Sequence, residues 1–242
     1  MAWVGRAADA LYDGKVTATP QTPPATAHGT VLQTDQVAPH ADLRDIVRHH
    51  QQHPWQKPCP AHTREAFEQF SQVYREDPRP IVLDSFCGTG MSTAVLAARF
   101  PRAWVVGIDQ SAHRLAKHQP TEQRNYHLLR AEAEPFWYCL AEAGIRLHSH
   151  WLLYPNPWPK LSQFKKRLHG HGAFPILAQL GGALEMRTNW HLFAEEFALA
   201  ADLIGLKGSI DAVKPAAPMT LFERKYHQRG QTLWQFKGKF SI

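Results

Sequence analysis

The chain has 242 residues, of which 44% are hydrophobic and 11% are aromatic. This composition supplies an ordinary hydrophobic core and excludes the collagen, coiled-coil and fully disordered classes. No apolar run approaches the roughly 18 residues of a membrane span, and the first residues lack a secretory signal pattern, so we expect a cytoplasmic protein. The three cysteines show no C-x-x-C spacing, and the histidine pairs His148/His150 and His169/His171 have no acidic or cysteine ligand nearby. We therefore predict neither a disulfide framework nor a metal site.

The positive charge is concentrated in two short stretches. Lysine and arginine total 27 against 21 acids, a net charge of +6, and the first 60 residues are neutral. Residues 160–167 contain four cations and residues 224–239 contain five, and neither stretch contains an acid. Local cation density attracts phosphates, so both stretches are candidate contacts for a polyanion, although a solvated surface would have the same composition.

The first 60 residues differ in character from the rest. Residues 16–41 are rich in Thr, Pro, Ala and Gln and have no helical or strand period. We predict that residues 1–60 form a largely extended or disordered arm, with a short helix near 42–52 as an option, and that residues 61–242 form the domain. The domain opens with a helix that Thr63 caps and that ends before Pro78.

From residue 80 onward, short β-rich runs alternate with helical stretches. This alternation predicts an α/β fold with a parallel sheet. A terminal helix over 220–228 and a strand over 231–236 follow. The five predicted internal strands cover 81–84, 104–109, 126–129, 149–153 and 183–187.

A glycine-containing turn follows the first of these strands. Residues 84–90 have the sequence DSFCGTG, and glycines there let a ligand approach the backbone at the carboxyl edge of the sheet. The next strand ends at Asp109, 19 residues beyond Gly90, where a carboxylate can accept both ribose hydroxyls of a nucleoside. The pair predicts a nucleoside cofactor. A tight turn followed by a capping aspartate is the structural alternative.

The acid that begins the turn narrows the choice of cofactor. Asp84 would repel a pyrophosphate but suits the ammonium of a methionine moiety, which favours S-adenosylmethionine over a dinucleotide. Glu132, just past the third strand, could accept an adenine amino group. An acid in that position is also a common helix cap.

The fourth strand leads into the sequence YPNPWPK at 154–160. This resembles the signature F-P-D-P-W-P-K of the S-adenosylmethionine-dependent tRNA (guanine-N7-)-methyltransferases, and other motifs of that family match in order over 80–239. The resemblance implies a Rossmann-like, seven-stranded class I methyltransferase sheet with an antiparallel last strand. It also implies S-adenosyl-L-methionine as cofactor and RNA, with tRNA as first candidate, as partner.

The resemblance also assigns roles to single positions. It places the cofactor at Asp84, Gly88, Gly90, Asp109, Glu132 and Asn156. It makes Asn156 the catalytic position, and it gives substrate contacts to Lys160, Asn189, Thr220 and Glu223. The segment from Thr220 to Glu223 also fits a capping box, which would be purely structural.

Three departures from the family keep other functions open. Phe86 replaces the first glycine of the cofactor turn, so we expect a backbone without positive φ there or a shifted methionine tail. Asn156 and Asn189 replace aspartates, and the neutral arm lacks a basic segment. Asn156-Pro157 also resembles the N-P-P-aromatic element of amino-group methyltransferases. A small-molecule methyltransferase and a non-catalytic RNA-binding relative are the further alternatives.

Overall fold

The computed structural model describes residues 34–240, which form a seven-stranded sheet flanked by helices. The strands are β1 (Ile81–Ser85), β2 (Trp104–Asp109), β3 (Tyr126–Arg130), β4 (Ser149–Leu153), β5 (Ala183–Thr188), β6 (Leu206–Val213) and β7 (Leu233–Phe240). The helices are α1 (Leu43–Gln52), α2 (Ala61–Glu76), α3 (Met91–Arg99), α4 (Ala112–Leu115), α5 (Ala133–Glu142), α6 (Leu177–Leu180), α7 (His191–Leu203) and α8 (Leu221–Gln228). Three short 3-10 turns, at Leu161–Lys166, Leu168–Gly170 and Phe174–Ile176, connect β4 to α6.

The strand order is β3-β2-β1-β4-β5-β7-β6. The first five strands are mutually parallel, and β7 runs antiparallel to both β5 and β6. The predicted seven-stranded methyltransferase sheet with an antiparallel last strand is thereby confirmed. Strand β6 had no counterpart among the predicted strands, because most of its side chains are exposed at the sheet edge and lack an apolar pattern.

The centre of the sheet is buried on both faces. Every residue of β1 and of β4 is buried, as expected for parallel strands covered by helices on both sides. The larger apolar cluster lies beneath α1, α2, α5 and α7, and a smaller one around Leu96 and Val105 lies beneath α3. No helix within residues 34–240 combines the length and the apolar character of a membrane span.

The segment before residue 60 belongs to the folded unit, which corrects the predicted domain boundary. Helix α1 buries Leu43 and Val47 in the larger cluster, at 2% and 1% exposure, and lies against α7. Three apolar residues in an otherwise polar ten-residue helix give a weak sequence signal, because tertiary packing rather than propensity stabilises so short a helix. The rest of the predicted arm, residues 1–33, lies outside the described residues.

Helix α1 predicts a stability effect. Leu43→Ala should lower the free energy of unfolding by about 2–5 kcal/mol, because it removes a fully packed side chain. Arg48→Ala, at an exposed position of the same helix, should change it by no more than about 0.5 kcal/mol. Urea denaturation measures both. Equal, small effects would show that α1 does not contribute to the core.

Candidate active site

A cavity of about 770 Å³ opens at the carboxyl ends of the parallel strands. One side is formed by the segments that follow β1, β2 and β3. The other side is formed by the segments that follow β4 and β5 and by the start of α8. The cavity therefore lies where open α/β sheets bind ligands, between the neighbouring strands β1 and β4, because the segments that follow these strands run in opposite directions.

The turn after β1 approaches the neighbouring strands closely. Gly88 and Gly90 have φ of 62° and 74°, and a Cβ at Gly90 would come within 2.6 Å of the Leu128 side chain, whereas a Cβ at Gly88 would meet nothing within 4 Å. Phe86 also has a positive φ, 64°, so the first of the two expectations, a backbone without positive φ, is wrong, whereas a shifted methionine tail stays a prediction. Its ring packs edge-on against Trp137, 6.1 Å between ring centroids.

Asp109 is held rigidly at the cavity wall. Its Oδ2 accepts the Gly88 N–H at 3.0 Å, and its Oδ1 accepts the Ser111 N–H at 2.8 Å. Oδ1 also forms a salt bridge with Arg114 Nη2 at 3.0 Å. The side chain is only 1% exposed. Asp109 does not cap α4, because the cap residue is Ser111, whose Oγ accepts the Arg114 N–H. Within the described part of the chain Asp109 Oδ2 has one hydrogen-bond donor, and a carboxylate oxygen can accept two. Its predicted contact with a ribose hydroxyl stays a prediction.

Asp84 lies beneath the turn and outside the cavity lining. Its Oδ2 accepts hydrogen bonds from Ser92 Oγ at 2.6 Å and Thr93 Oγ1 at 2.7 Å, which fixes the first turn of α3. Its buried Oδ1 has no donor within the described part of the chain. Burial raises the pKa of Asp84 to about 6, against the opposing effect of the two hydroxyls. Its predicted contact with the methionine end stays a prediction.

Glu132 lies at the cavity wall and caps α5. Its Oε2 pairs with Lys57 Nζ at 3.0 Å, so the segment before α2 supplies a cation to the predicted adenine end. The backbone N–H of Glu132 donates to Thr63 Oγ1, also at 3.0 Å. Sequence reasoning missed Lys57, because it is 75 residues away in the chain.

The loop after β4 forms the opposite wall. Asn156 is exposed and lines the cavity, and its Oδ1 lies 3.5 Å from the Trp158 N–H. Tyr154 and Trp158 have φ of 55° and 44°. Positive φ at aromatic residues is energetically unfavourable and recurs at ligand sites. Both aromatic residues line the cavity, and the sequence gives no local signal of their backbone conformation.

The predicted substrate residues are placed differently from one another. Asn189 and Thr220 line the cavity. The Asn189 amide donates to Gln231 Oε1 at 2.9 Å, and Thr220 Oγ1 accepts the Glu223 N–H, also at 2.9 Å. Lys160 is exposed but does not line the cavity. Lys166 does line it, with its ammonium 5.1 Å from the centre of the Trp158 ring.

Glu223 is fully buried behind the cavity wall. Its carboxylate accepts hydrogen bonds from the Tyr154 hydroxyl at 3.0 Å, from Arg187 Nη1 at 2.6 Å and from the Met219 N–H. Only half of the capping box forms, because the carboxylate bonds Met219 rather than the cap residue Thr220. The Tyr154 hydroxyl connects Glu223 to the β4 loop, and a direct substrate contact stays a prediction.

Helix α8 adds an aromatic surface that the sequence motifs did not indicate. Phe222 and Tyr226, one turn apart, line the cavity with ring centroids 6.2 Å apart. The Phe222 side chain remains about half exposed. The sequence signal for this surface is the spacing of the two aromatic residues, because side chains at positions i and i+4 lie on one face of a helix.

The carboxylates that line the cavity all lie on one side. Asp109 ends β2, and Glu132 and Glu134 follow β3. The same side also carries Arg114 and Lys117, and Arg114 pairs with Asp109. The side formed by the β4 loop, Asn189 and α8 presents Lys166 and no carboxylate among the described residues. Carboxylate acceptors for a hydroxyl-rich ligand are therefore present on one side of the cavity only. No group of three His, Cys, Asp or Glu side chains within residues 34–240 could hold a metal ion.

The model of a family described as putative methyltransferases matches residues 78–236. The chain belongs to this methyltransferase family. Curated relatives named tRNA (guanine-N(7)-)-methyltransferase include that of Nocardia farcinica, which is 29% identical over 182 residues, covering 65% of this chain and 66% of the relative. That of Treponema pallidum strain Nichols is 28% identical over 167 residues, covering 64% and 65%. The predicted family is confirmed, and the chain spans about two thirds of the length of these relatives.

Solved methyltransferase structures share the fold. The 16S rRNA methyltransferase KamB superposes with a TM-score of 0.55 at 18% identity, over 72% of this chain and 94% of that one. The aminoglycoside resistance methyltransferase NpmB1 gives 0.52 at 17% identity, over 77% and 95%.

Asp84 predicts a specific pH dependence of stability. The pKa of Asp84 in the folded chain, about 6, exceeds its usual value of 3.8, so between these pH values the folded chain keeps a proton that the unfolded chain has lost. Stability therefore falls as the pH rises through this window. Relative to Asp84→Asn, the unfolding free energy of the wild type should fall by about 3 kcal/mol between about pH 4 and pH 7. Urea titrations measure this difference, and a pH-independent difference would contradict the prediction.

Proposed function

We propose that the protein transfers a methyl group from S-adenosyl-L-methionine to a nucleobase of RNA, with guanine N7 of tRNA as the first candidate acceptor. The observation that carries this proposal is one cavity with an acidic, glycine-bordered half beside an acid-free half lined by Asn156, Trp158 and Lys166. Membership of the methyltransferase family and relatives named tRNA (guanine-N(7)-)-methyltransferase support it.

The residues of the first half fit the cofactor. Gly88 leaves open space above the turn, Asp109 retains an acceptor for a ribose hydroxyl, and Glu132 presents a carboxylate for an adenine amino group. The buried Asp84 keeps one oxygen without a donor behind the same turn. The bound cofactor supplies a sulfonium methyl group that is already activated. The chain has to align the acceptor and exclude water.

The second half fits a planar acceptor. Trp158 and Phe222 offer aromatic faces on which an unstacked base can pack, as sequence-specific RNA recognition commonly requires. Asn156 presents both a donor and an acceptor to a base edge. Guanine N7 attacks through a lone pair and loses no proton, so no general base is needed there.

The cationic stretch that begins at Lys160 supports an RNA partner, with one correction. Lys160, Lys165 and Lys166 form no salt bridge with any described residue, so their charges are free to attract phosphates. Arg167 belongs to the same stretch, but its side chain is fully buried against Glu196. The stretch therefore supplies three surface cations rather than four.

The absence of a carboxylate from the described acceptor half favours a second candidate, an exocyclic amino group. A 7-methylguanine product is cationic, and Lys166 beside it would be unfavourable, whereas a methylated amino group becomes neutral once it has released a proton to water. Asn156 can accept a hydrogen bond from such an amino group.

Radiolabelled methyl transfer to bulk tRNA that lacks modifications, followed by nucleoside analysis, tests the proposal. We expect label in 7-methylguanosine. Label in an N-methylated adenosine or cytidine would select the amino-group acceptor. Label in protein or small molecules, with none in RNA, would contradict the proposal.

Lys166 predicts a salt-dependent contribution to RNA binding. Lys166→Ala should weaken RNA binding and reduce the slope of log K against log salt by about one, because one phosphate contact is lost. Lys207→Ala, on the exposed edge strand β6, should leave the slope unchanged. Fluorescence anisotropy at several salt concentrations measures both slopes. Equal slopes for the two variants would exclude Lys166 from the RNA contact.

A further inference from the structure

A fully buried carboxylate on α7, that of Glu196, connects this helix to two distant segments of the chain. Glu196 Oε1 accepts hydrogen bonds from Gln36 Nε2 at 2.7 Å and from the His40 N–H at 2.8 Å. Its Oε2 accepts Arg167 Nη1 at 2.6 Å and His169 Nε2 at 2.9 Å. All four acceptor positions of the carboxylate are therefore used, by donors from the segment before α1 and from the turns after β4.

Arg167 extends this network to the loop that forms the acceptor wall. Its Nε donates to the Trp158 carbonyl at 3.1 Å, and its Nη2 lies 3.4 Å from the Pro159 carbonyl. Thr34 Oγ1 donates to the same Pro159 carbonyl at 2.8 Å, and Gln36 Oε1 accepts Arg167 Nη2 at 2.8 Å. Two consecutive carbonyls of the loop are thus held from behind by buried or partly buried donors.

The ionisation of the network is constant around neutral pH. Burial alone would raise the pKa of Glu196, but the hydrogen bond from His169, with further contributions from His40 and Arg167, lowers it to about 2. Burial lowers the pKa of His169, so its neutral ring donates through Nε2. The charged Glu196 carboxylate thus pairs with the Arg167 guanidinium inside the protein.

Stability alone does not account for this arrangement. A buried ion pair contributes about as much as, or less than, well-packed apolar side chains of similar size. A network of directed hydrogen bonds does fix backbone positions, and the loop that it holds contains Trp158 at a φ of 44°. Such strained conformations persist only where the surroundings determine them fully.

We propose that Arg167 and Glu196 are positioning residues that set the loop bearing Asn156 and Trp158 for methyl transfer, and that residues 34–40 close this network. The inference rests on the proposed function. Neither Arg167 nor Glu196 lines the cavity, so both act through the two loop carbonyls.

Two variants of the full-length chain test the proposal. Glu196→Gln keeps the shape of the side chain but leaves Arg167 without its counter-charge. Thr34→Val removes the hydrogen bond to the Pro159 carbonyl and the one that Thr34 Oγ1 accepts from the Gln36 N–H, both at a half-buried position. It provides the test if Glu196→Gln fails to fold. Val47→Ala is the matched control, because it loosens the core under α1 without touching the network.

Three measurements separate positioning from stability. In Glu196→Gln, kcat for RNA methylation should fall about 10- to 100-fold per folded molecule, because a displacement of about 1 Å can have an effect of that size. Binding of S-adenosylhomocysteine should stay within about twofold, since the cofactor half is separate. Native-state trypsin cleavage after Lys160, Lys165 and Lys166 should accelerate at least about fivefold, because the loop opens more often. Thr34→Val should show smaller changes in the same directions.

The outcomes are decisive either way. If Glu196→Gln and Thr34→Val match Val47→Ala in kcat per folded molecule and in loop cleavage, the network is only structural and the proposal is overturned. If the wild type methylates no RNA, the proposed function fails. The trypsin rates then still decide whether the network holds the loop, and unchanged rates overturn that as well.

Discussion

The parallel pairing of β1 with β4 at the centre of the sheet is the constraint on which the rest of the site depends. From β1 the chain builds outward through β2 to β3, and it then returns to place β4 on the other side of β1. The segments that follow β1 and β4 therefore leave in opposite directions and open a crevice between them. The cofactor half and the acceptor half of the cavity are the two sides of this crevice.

Three non-glycine residues with positive φ border the crevice, and each is held by a different contact. Phe86 packs on Trp137, the Tyr154 hydroxyl donates to Glu223, and the Trp158 carbonyl accepts Arg167 Nε. The buried charges are thus connected to the strained positions rather than distributed through the core. The site is shaped by side chains behind the wall as much as by those that line it.

The sequence predicted the parts of the site that depend on local order. Strand alternation, the glycine turn and Asp109 follow from neighbours in the chain, and the structure places Gly88 and Asp109 in direct contact. The partners of buried charges could not be predicted in this way. Glu223 meets Tyr154 across 69 residues, and Arg167 meets Gln36 across 131, so spacing carries no information about either pair.

The count of cations in acid-free stretches also misplaced one residue, again because its partner is distant in the chain. A cation in an acid-free stretch is expected at the surface, yet Arg167 is buried because a distant carboxylate on α7 compensates its charge. Residues 34–60 looked like part of a separate arm because the contacts that join them to the domain, such as that of His40 with Glu196, are long-range. Local composition describes surfaces well and long-range ionic networks poorly.

We propose that the acidic half of the cavity binds the nucleoside of S-adenosylmethionine. Calorimetric titration with the stable product S-adenosylhomocysteine measures this binding. We expect binding by the wild type, at least about tenfold weaker binding by Asp109→Ala, and unchanged binding by Asp45→Ala, an exposed acid on α1. Absence of binding by the wild type, or equal affinity in Asp109→Ala, would contradict it.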